Sequence, residues 1–163
     1  GWRAGAMGRS TRRAAQAACR GCQAGGMKSL FHFAFNVTDL DQARRFYAGV
    51  LGCTEGRSTD TWVDFDFFGH QLSLHLGTPF KTEPTGHVGN QRVPMPHFGL
   101  VLELPDWQAM AARLQAAGTR FVLAPQVRFE GLPGEQWTMF FDDPFGNPME
   151  IKGLRSFETL YAA

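Results

Sequence analysis

Phe31, Phe33, Phe35 and Val37 alternate with His32, Ala34 and Asn36. A period of two puts the apolar set on one face of a strand over residues 30–37 and the remainder on the other. The period then changes. Leu40, Ala43, Phe46, Tyr47, Val50 and Leu51 recur at helical spacing, with Thr38 and Asp41 at the predicted start and Gly52 as the stop. A short strand is expected at 55–58. Residues 62–68 alternate again, with Val63, Phe65 and Phe67 against Trp62, Asp64, Asp66 and Phe68. Gly69-His70 reads as a two-residue hairpin turn, and the returning strand sets Leu72, Leu74 and Leu76 opposite Gln71, Ser73 and His75. The predicted order is β-α-β-β-β.

The plan then repeats. Over 97–103, Phe98, Leu100 and Leu102 lie opposite His97, Gly99, Val101 and Glu103. Pro105 suits the first helical position, and Trp107, Met110, Ala111 and Leu114 carry a helix toward Gly118. Strands are predicted at 121–129, 136–141 and 147–152, with a turn at 131–134. In the last strand Met149 and Ile151 oppose Glu150 and Lys152. Module one therefore spans 29–77 and module two 96–153. The Gly- and Pro-rich 78–95 between them reads as a linker long enough to cover a pocket as well. A tail at 154–163 is expected to form a short helix.

Charge separates the first 26 residues from the rest. Of 16 basic and 15 acidic residues, five arginines and no acid fall before Met27, leaving 11 basic against 15 acidic. An acidic domain is a poor nucleic-acid binder, because phosphate contacts need clustered Lys and Arg. No apolar run is long enough for a membrane span. Residues 1–26 are read as a disordered or non-native extension in preference to an Arg-rich transit peptide, since no amphipathic face emerges. Residues 27–163 are read as a single domain. Cys19 and Cys22 form a CxxC with neither a βαβ context nor a second ligand pair, so the spacing is taken as incidental. Cys53 is expected to be a packed free thiol. Three cysteines make no disulfide framework, which suits a cytoplasmic protein.

In each core strand the apolar face can pack on the helix of its own module. The polar face then needs a cavity or a ligand to satisfy it. His32, His75, His97 and Glu150 all fall on that second face. His-Phe opens both modules, at His32-Phe33 and His97-Phe98, and Glu150 ends the second. Two imidazoles and a carboxylate on different strands can hold a divalent metal as a facial triad, leaving three positions open for water, substrate or O2. Fe(II) suits this set best; Mn(II), Ni(II), Co(II) and Zn(II) are compatible with it.

From about Ser29 to Lys152 the chain resembles the vicinal oxygen chelate superfamily, which includes glyoxalase I, extradiol dioxygenases, fosfomycin-resistance proteins and bleomycin-resistance proteins. The matching segments are His32 to Leu40 with the helix from Ala43 to Tyr47, then His97-Phe98-Gly99-Leu100, then Asp143-Pro144-Phe145-Gly146-Asn147-Pro148-Met149-Glu150. The resemblance implies an α+β fold of two paired βαβββ modules, their strands curling as a mixed sheet around a central metal cavity. It implies His32, His97 and Glu150 as ligands. Within the superfamily the chain is most similar to proteins described as extradiol-type dioxygenases. That implies oxidation of a small aromatic or enolisable substrate. A glyoxalase I-like lyase or isomerase, a thiol transferase, and a non-catalytic drug- or metabolite-binding resistance protein are the alternatives. Two positions depart from the extradiol motif: Phe140 stands where the motif has a tyrosine three residues before Asp143, and the Gly131-Leu132-Pro133 turn stands where it has a histidine.

His75 is a candidate fourth ligand, a candidate proton-transfer group, or a rim residue. Gln71, Trp62, Asp64, Gln136 and Arg128 are candidate pocket-lining residues. His70 and His87 fall in a turn and a loop and are expected in solvent. The expected partner is a small molecule, and the paired modules are compatible with a site completed in one chain or across a homodimer.

Overall fold

The computed structural model describes residues 29–161, and the elements below all lie in the compact unit Phe31–Ala163. The expected extension over 1–26, with Cys19 and Cys22, lies outside the described residues. No helix among the described residues is long and apolar enough to cross a membrane.

Module one runs β1 (His32–Val37), helix α1 (Leu40–Arg44), β2 (Thr54–Ser58), β3 (Trp62–Asp66) and β4 (Gln71–Leu76). Asp39, one residue after the predicted Thr38, caps α1: its Oδ1 accepts from Gln42 N at 2.7 Å. The helix then widens to π-helical hydrogen bonding over Arg45–Leu51 and ends on left-handed Gly52. The strands pair in the order β1-β4-β3-β2, with β1 parallel to β4 and the other pairs antiparallel. The β3–β4 turn sits one residue earlier than predicted. Phe68 and Gly69 both take positive φ, at 54° and 89°, and Phe67 pairs with His70 by two backbone hydrogen bonds. This is the twist a two-residue hairpin requires. Asp66 Oδ1 stabilises it by accepting from Gly69 N at 2.7 Å.

Module two repeats the order: β7 (Phe98–Glu103), α2 (Leu104–Ala116), β8 (Phe121–Arg128), β9 (Gln136–Asp142) and β10 (Pro148–Leu154), paired β7-β10-β9-β8. Pro105 lies in the first turn of α2 as expected. The tail holds a short 3-10 turn, Phe157–Thr159. Residues 78–95 are more than a linker. They contain a two-stranded hairpin, β5 (Glu83–Val88) and β6 (Gln91–Met95), reversed at left-handed Gly89. Two strands suffice because Val88 and Val93 bury themselves against Leu123 and Phe140 of module two. Pro84 and Pro94 are tolerated because each strand of a two-stranded ribbon is an edge.

The helices occupy the space between the two sheets. Tyr47 stacks on Phe65 of sheet one at 5.5 Å, while the adjacent Phe46 meets Phe141 of sheet two at 6.4 Å. Trp107 Nε1 donates to Ile151 O at 2.9 Å, and Arg113 Nη1 of α2 donates to Leu51 O at 2.9 Å. A single core joins Phe35, Val37, Leu72 and Leu74 of sheet one to Met139, Phe141, Met149 and Ile151 of sheet two. The α+β fold of two βαβββ modules is the one the repeat predicts. Each module nevertheless forms its own mixed four-stranded sheet, and both polar faces lie on the far side of their sheets from the shared core. The reason is packing: both helix-side faces are apolar and satisfy each other through one helical layer. Cys53 belongs to this core as a free thiol, and burial pushes its pKa up to about 12.

The modules are also tied by a buried polar knot. Asp143 accepts four hydrogen bonds: from Tyr47 Oη at 2.8 Å, Asn147 Nδ2 at 2.9 Å, Asn147 N at 2.8 Å and Phe145 N at 2.9 Å. Asn147 Nδ2 also reaches the Asn36 carbonyl at 3.3 Å. This explains the Asp-Pro-Phe-Gly-Asn segment locally: Asp143 folds the turn around its own carboxylate and grips module one through Tyr47. Burial raises the Asp143 pKa despite these donors, and burial together with Asp143 raises that of Tyr47.

Candidate metal centre

On the polar face of sheet two, β10 runs parallel to β7 with Glu150 beside Gly99. A Cβ at Gly99 would overlap the Glu150 carbonyl oxygen, so only glycine lets the two strands lie this close. His97 immediately precedes β7 and turns its ring onto the same face. Its Nε2 lies 3.2 Å from Glu150 Oε2. Thr138, across the β9–β10 ladder, donates its hydroxyl to Glu150 Oε1 at 2.8 Å, and Lys152 Nζ stands 3.6 Å from Oε2. Phe140 meets the His97 ring edge-on at 5.0 Å.

The donor chemistry of this pair fits a cation. His97 Nδ1 is 2.8 Å from the Pro94 carbonyl oxygen. A carbonyl only accepts, so Nδ1 carries the hydrogen and Nε2 of the neutral ring presents a lone pair. That lone pair faces a carboxylate oxygen. Two acceptors at this separation repel unless positive charge stands by them; the Lys152 ammonium, 3.6 Å from Oε2, supplies part of it, and a metal ion between the two would supply more. Glu150 is 8% exposed, which sharpens the need.

His32 is elsewhere. It lies on the polar face of sheet one, solvent-exposed, beside Gln71 in the parallel β1–β4 ladder. It lines a shallow hollow of about 340 Å³ with Arg57, Trp62, Asp64, Gln71, Ser73 and His75. The centre of this hollow is Asp64, 7% exposed, which accepts from Ser73 Oγ, from Gln71 Nε2 at 3.1 Å and from Arg57 Nη2 at 3.2 Å. Burial pushes the Asp64 carboxyl up, but the hydrogen bonds from Ser73, Arg57 and Gln71 outweigh it and hold the pKa below the usual value. Trp62 meets both neighbours: His75 stacks on it at 6.3 Å, and the Arg57 guanidinium lies 5.9 Å from its centroid.

The structure thus brings His97 to Glu150, and gathers His32, His75, Gln71, Trp62 and Asp64 on one separate face. It does not assemble His32, His97 and Glu150 in one chain: no cluster of three or more metal-ligating side chains occurs among the described residues. Gln136 and Arg128 stand at the far end of β9 and β8. Gln136 lines a hollow with the 131–135 turn, Leu154 and Arg155, and Arg128 covers the Phe129 ring at 4.8 Å. His70 is exposed, its Nδ1 accepting from Phe31 N at 3.3 Å, and His87 is exposed on the β5–β6 hairpin. Thr138, Pro94 and Arg57 were missed, and Ser73 was placed on the polar face without a role. Thr138 shares the parity of Glu150 once the β9–β10 register is known. Pro94 contributes a carbonyl, which leaves no mark on residue type.

Comparison with known proteins agrees with the fold. Residues 29–151 match the Glyoxalase/Bleomycin resistance protein/Dioxygenase superfamily. No curated protein matches the chain by sequence. Among solved structures, a glyoxalase/bleomycin resistance protein/dioxygenase from Alicyclobacillus acidocaldarius is 30% identical, with a TM-score of 0.64 over 82% of this chain and 97% of that one. The fosfomycin resistance protein FosX from Listeria monocytogenes is 17% identical, with a TM-score of 0.58 over 82% of this chain and 98% of its own. Lactoylglutathione lyase from Agrobacterium tumefaciens is 16% identical, with a TM-score of 0.56 over 85% and 99%. At the identity of the last two the likeness is one of fold.

Proposed function

Because the chain belongs to the glyoxalase/bleomycin resistance protein/dioxygenase superfamily, we propose that it is a metal-dependent enzyme whose metal site is shared between two copies. His97 and Glu150 come from one copy and His32 from the other. The observation that carries this reading is the split geometry. His97 and Glu150 form a half-site on one polar face, and His32 occupies the corresponding place on the polar face of the other sheet. A two-fold dimer that sets sheet one of each copy against sheet two of the other would complete two identical sites. Two imidazoles and a carboxylate suit Fe(II), and also Mn(II), Ni(II), Co(II) and Zn(II).

A bound divalent ion would polarise two adjacent oxygens of a small substrate as a Lewis acid. The chain's own groups then set the chemistry. Thr138 holds Glu150 through Oε1, so Oε2, beside His97 Nε2 and Lys152 Nζ, would be the oxygen offered to the ion. His75, stacked on Trp62, shares the face of His32. Its imidazole would take the proton from the carbon that bears the substrate's hydroxyl and return it to the adjacent carbonyl carbon, while the hydroxyl proton passes to the former carbonyl oxygen, so that the hydroxyl and the carbonyl exchange places with no net oxidation. Asp64, Gln71 and Arg57 orient the substrate's polar groups. This is a lyase or isomerase reaction that consumes no O2.

The O2-dependent alternative, extradiol cleavage of an aromatic diol, uses the same donor set. The site favours it less. Phe140, 1% exposed under the hairpin, offers no hydroxyl, and the 131–134 turn offers no imidazole. Incubating the metal-loaded protein with 2-oxoaldehyde thiohemiacetals and with catechols in an oxygen electrode separates the two. Turnover with solvent deuterium exchange and no O2 uptake is expected. Stoichiometric O2 uptake on a catechol would replace the proton-transfer reading with the dioxygenase one.

A further inference from the structure

The β5–β6 hairpin touches the half-site at two points. Its second strand carries Pro94, whose carbonyl oxygen is 2.8 Å from His97 Nδ1. Its buried valines, Val88 and Val93, pack on Leu123 and Phe140, and Phe140 in turn supports the edge of the His97 ring. Gly86 stands opposite Val93, and a Cβ there would come within 2.9 Å of Val93 Cγ2 and 3.0 Å of Met95 Cγ. The hairpin's inward face is therefore closely fitted. Its outward face presents His87 and Arg92, paired across the ladder and exposed.

We infer that this hairpin is a positioning device for His97. The Pro94 carbonyl selects the ring tautomer that carries hydrogen on Nδ1, and the Val88–Val93 contact on Phe140 holds that carbonyl in place. Free neutral imidazole side chains favour the opposite tautomer, with hydrogen on Nε2. In that form the nitrogen facing Glu150 is a donor and is closed to a metal. The hairpin thus decides whether the ring can act as a ligand at all, although none of its side chains reaches the Glu150 carboxylate. The consequence for metal binding rests on the function proposed above. The tautomer does not, and it is measured on metal-free protein.

The experiment is a long-range proton–nitrogen correlation spectrum of the metal-free full chain, taken well above the imidazole pKa. The wild-type His97 ring is expected as the Nδ1–H tautomer; an Nε2–H ring overturns the inference whatever any variant does. The double substitution Val88→Ala with Val93→Ala is then expected to shift His97 toward Nε2–H and to weaken zinc binding by about 10–100-fold. Val93→Ile is expected to keep both properties. A folded double variant, judged by its melting curve, with unchanged tautomer and unchanged zinc affinity also overturns it. If the double variant does not fold, the wild-type spectrum decides. A correct tautomer in a protein that binds no zinc leaves the positioning role standing and removes the metal reading instead.

Discussion

Glu150→Ala is expected to give a folded protein that has lost its divalent ion. Among the described residues Glu150 is the only carboxylate in the half-site, and its Oε2 is the atom that His97 Nε2 faces at 3.2 Å. Removing it leaves one imidazole from this copy and one from the other, too few donors for a tight site. The structural cost is one hydrogen bond. Thr138, fully buried, loses the acceptor of its hydroxyl, about 1–3 kcal/mol. Lys152 is half-exposed and turns to water. Elemental analysis of the purified protein should find about one ion per chain in the wild type and next to none in the variant, with affinity down by at least about a hundredfold. A Glu150→Ala protein that is fully loaded at wild-type affinity removes the site assignment.

Asp143→Ala is expected to be the most destabilising single change considered, at about 3–5 kcal/mol. The substitution removes one side chain and orphans donors on three residues. Tyr47 Oη, Asn147 Nδ2, Asn147 N and Phe145 N all point at the lost carboxylate, and Tyr47 and Asn147 are fully buried. Each unpaired buried donor costs about 1–3 kcal/mol, partly recovered where the turn relaxes toward water. The loss should appear as a melting temperature lower by roughly 10–20 °C. Tyr47→Phe removes only one of the four hydrogen bonds and leaves the turn intact, so about 1–2 kcal/mol is expected there. Equal effects from the two substitutions, or a negligible effect from Asp143→Ala, would mean that the knot does not tie the modules together.

Most of the architecture was legible because strand parity is a strong signal. A period of two placed His32, Gln71, His75, Trp62 and Asp64 on one side of sheet one, and the ladders His32–Gln71, Trp62–His75 and Asp64–Ser73 confirm that side. The same count placed His97 and Glu150 together. What parity does not carry is the relation between the two faces. An apolar stripe on a helix reads the same whether it packs on one sheet or lies between two, and here Tyr47 and Phe46 serve both. The β5–β6 hairpin was obscured by composition. Val88 and Val93 are its only fully buried residues, too few for an alternating run, among glycines and prolines that read as linker. The β3–β4 turn moved by one residue because Phe68 accepts a left-handed backbone, which residue type argues against.

A metal site built from His32 of one copy and His97 and Glu150 of another needs two copies of the chain, and subunit complementation probes that requirement. His32→Ala and Glu150→Ala are each expected to be inactive as purified dimers, because each homodimer lacks a ligand in both sites. Unfolded together, mixed in equal amounts and refolded, they form mixed dimers. One site of each mixed dimer takes its intact His32 from the Glu150→Ala copy, and its His97 and Glu150 from the His32→Ala copy. Random pairing then restores about a quarter of the wild-type activity and metal content. Recovery near that level is the predicted result. A mixture as inactive and metal-free as its two components, with mixed dimers demonstrably present, would contradict the account.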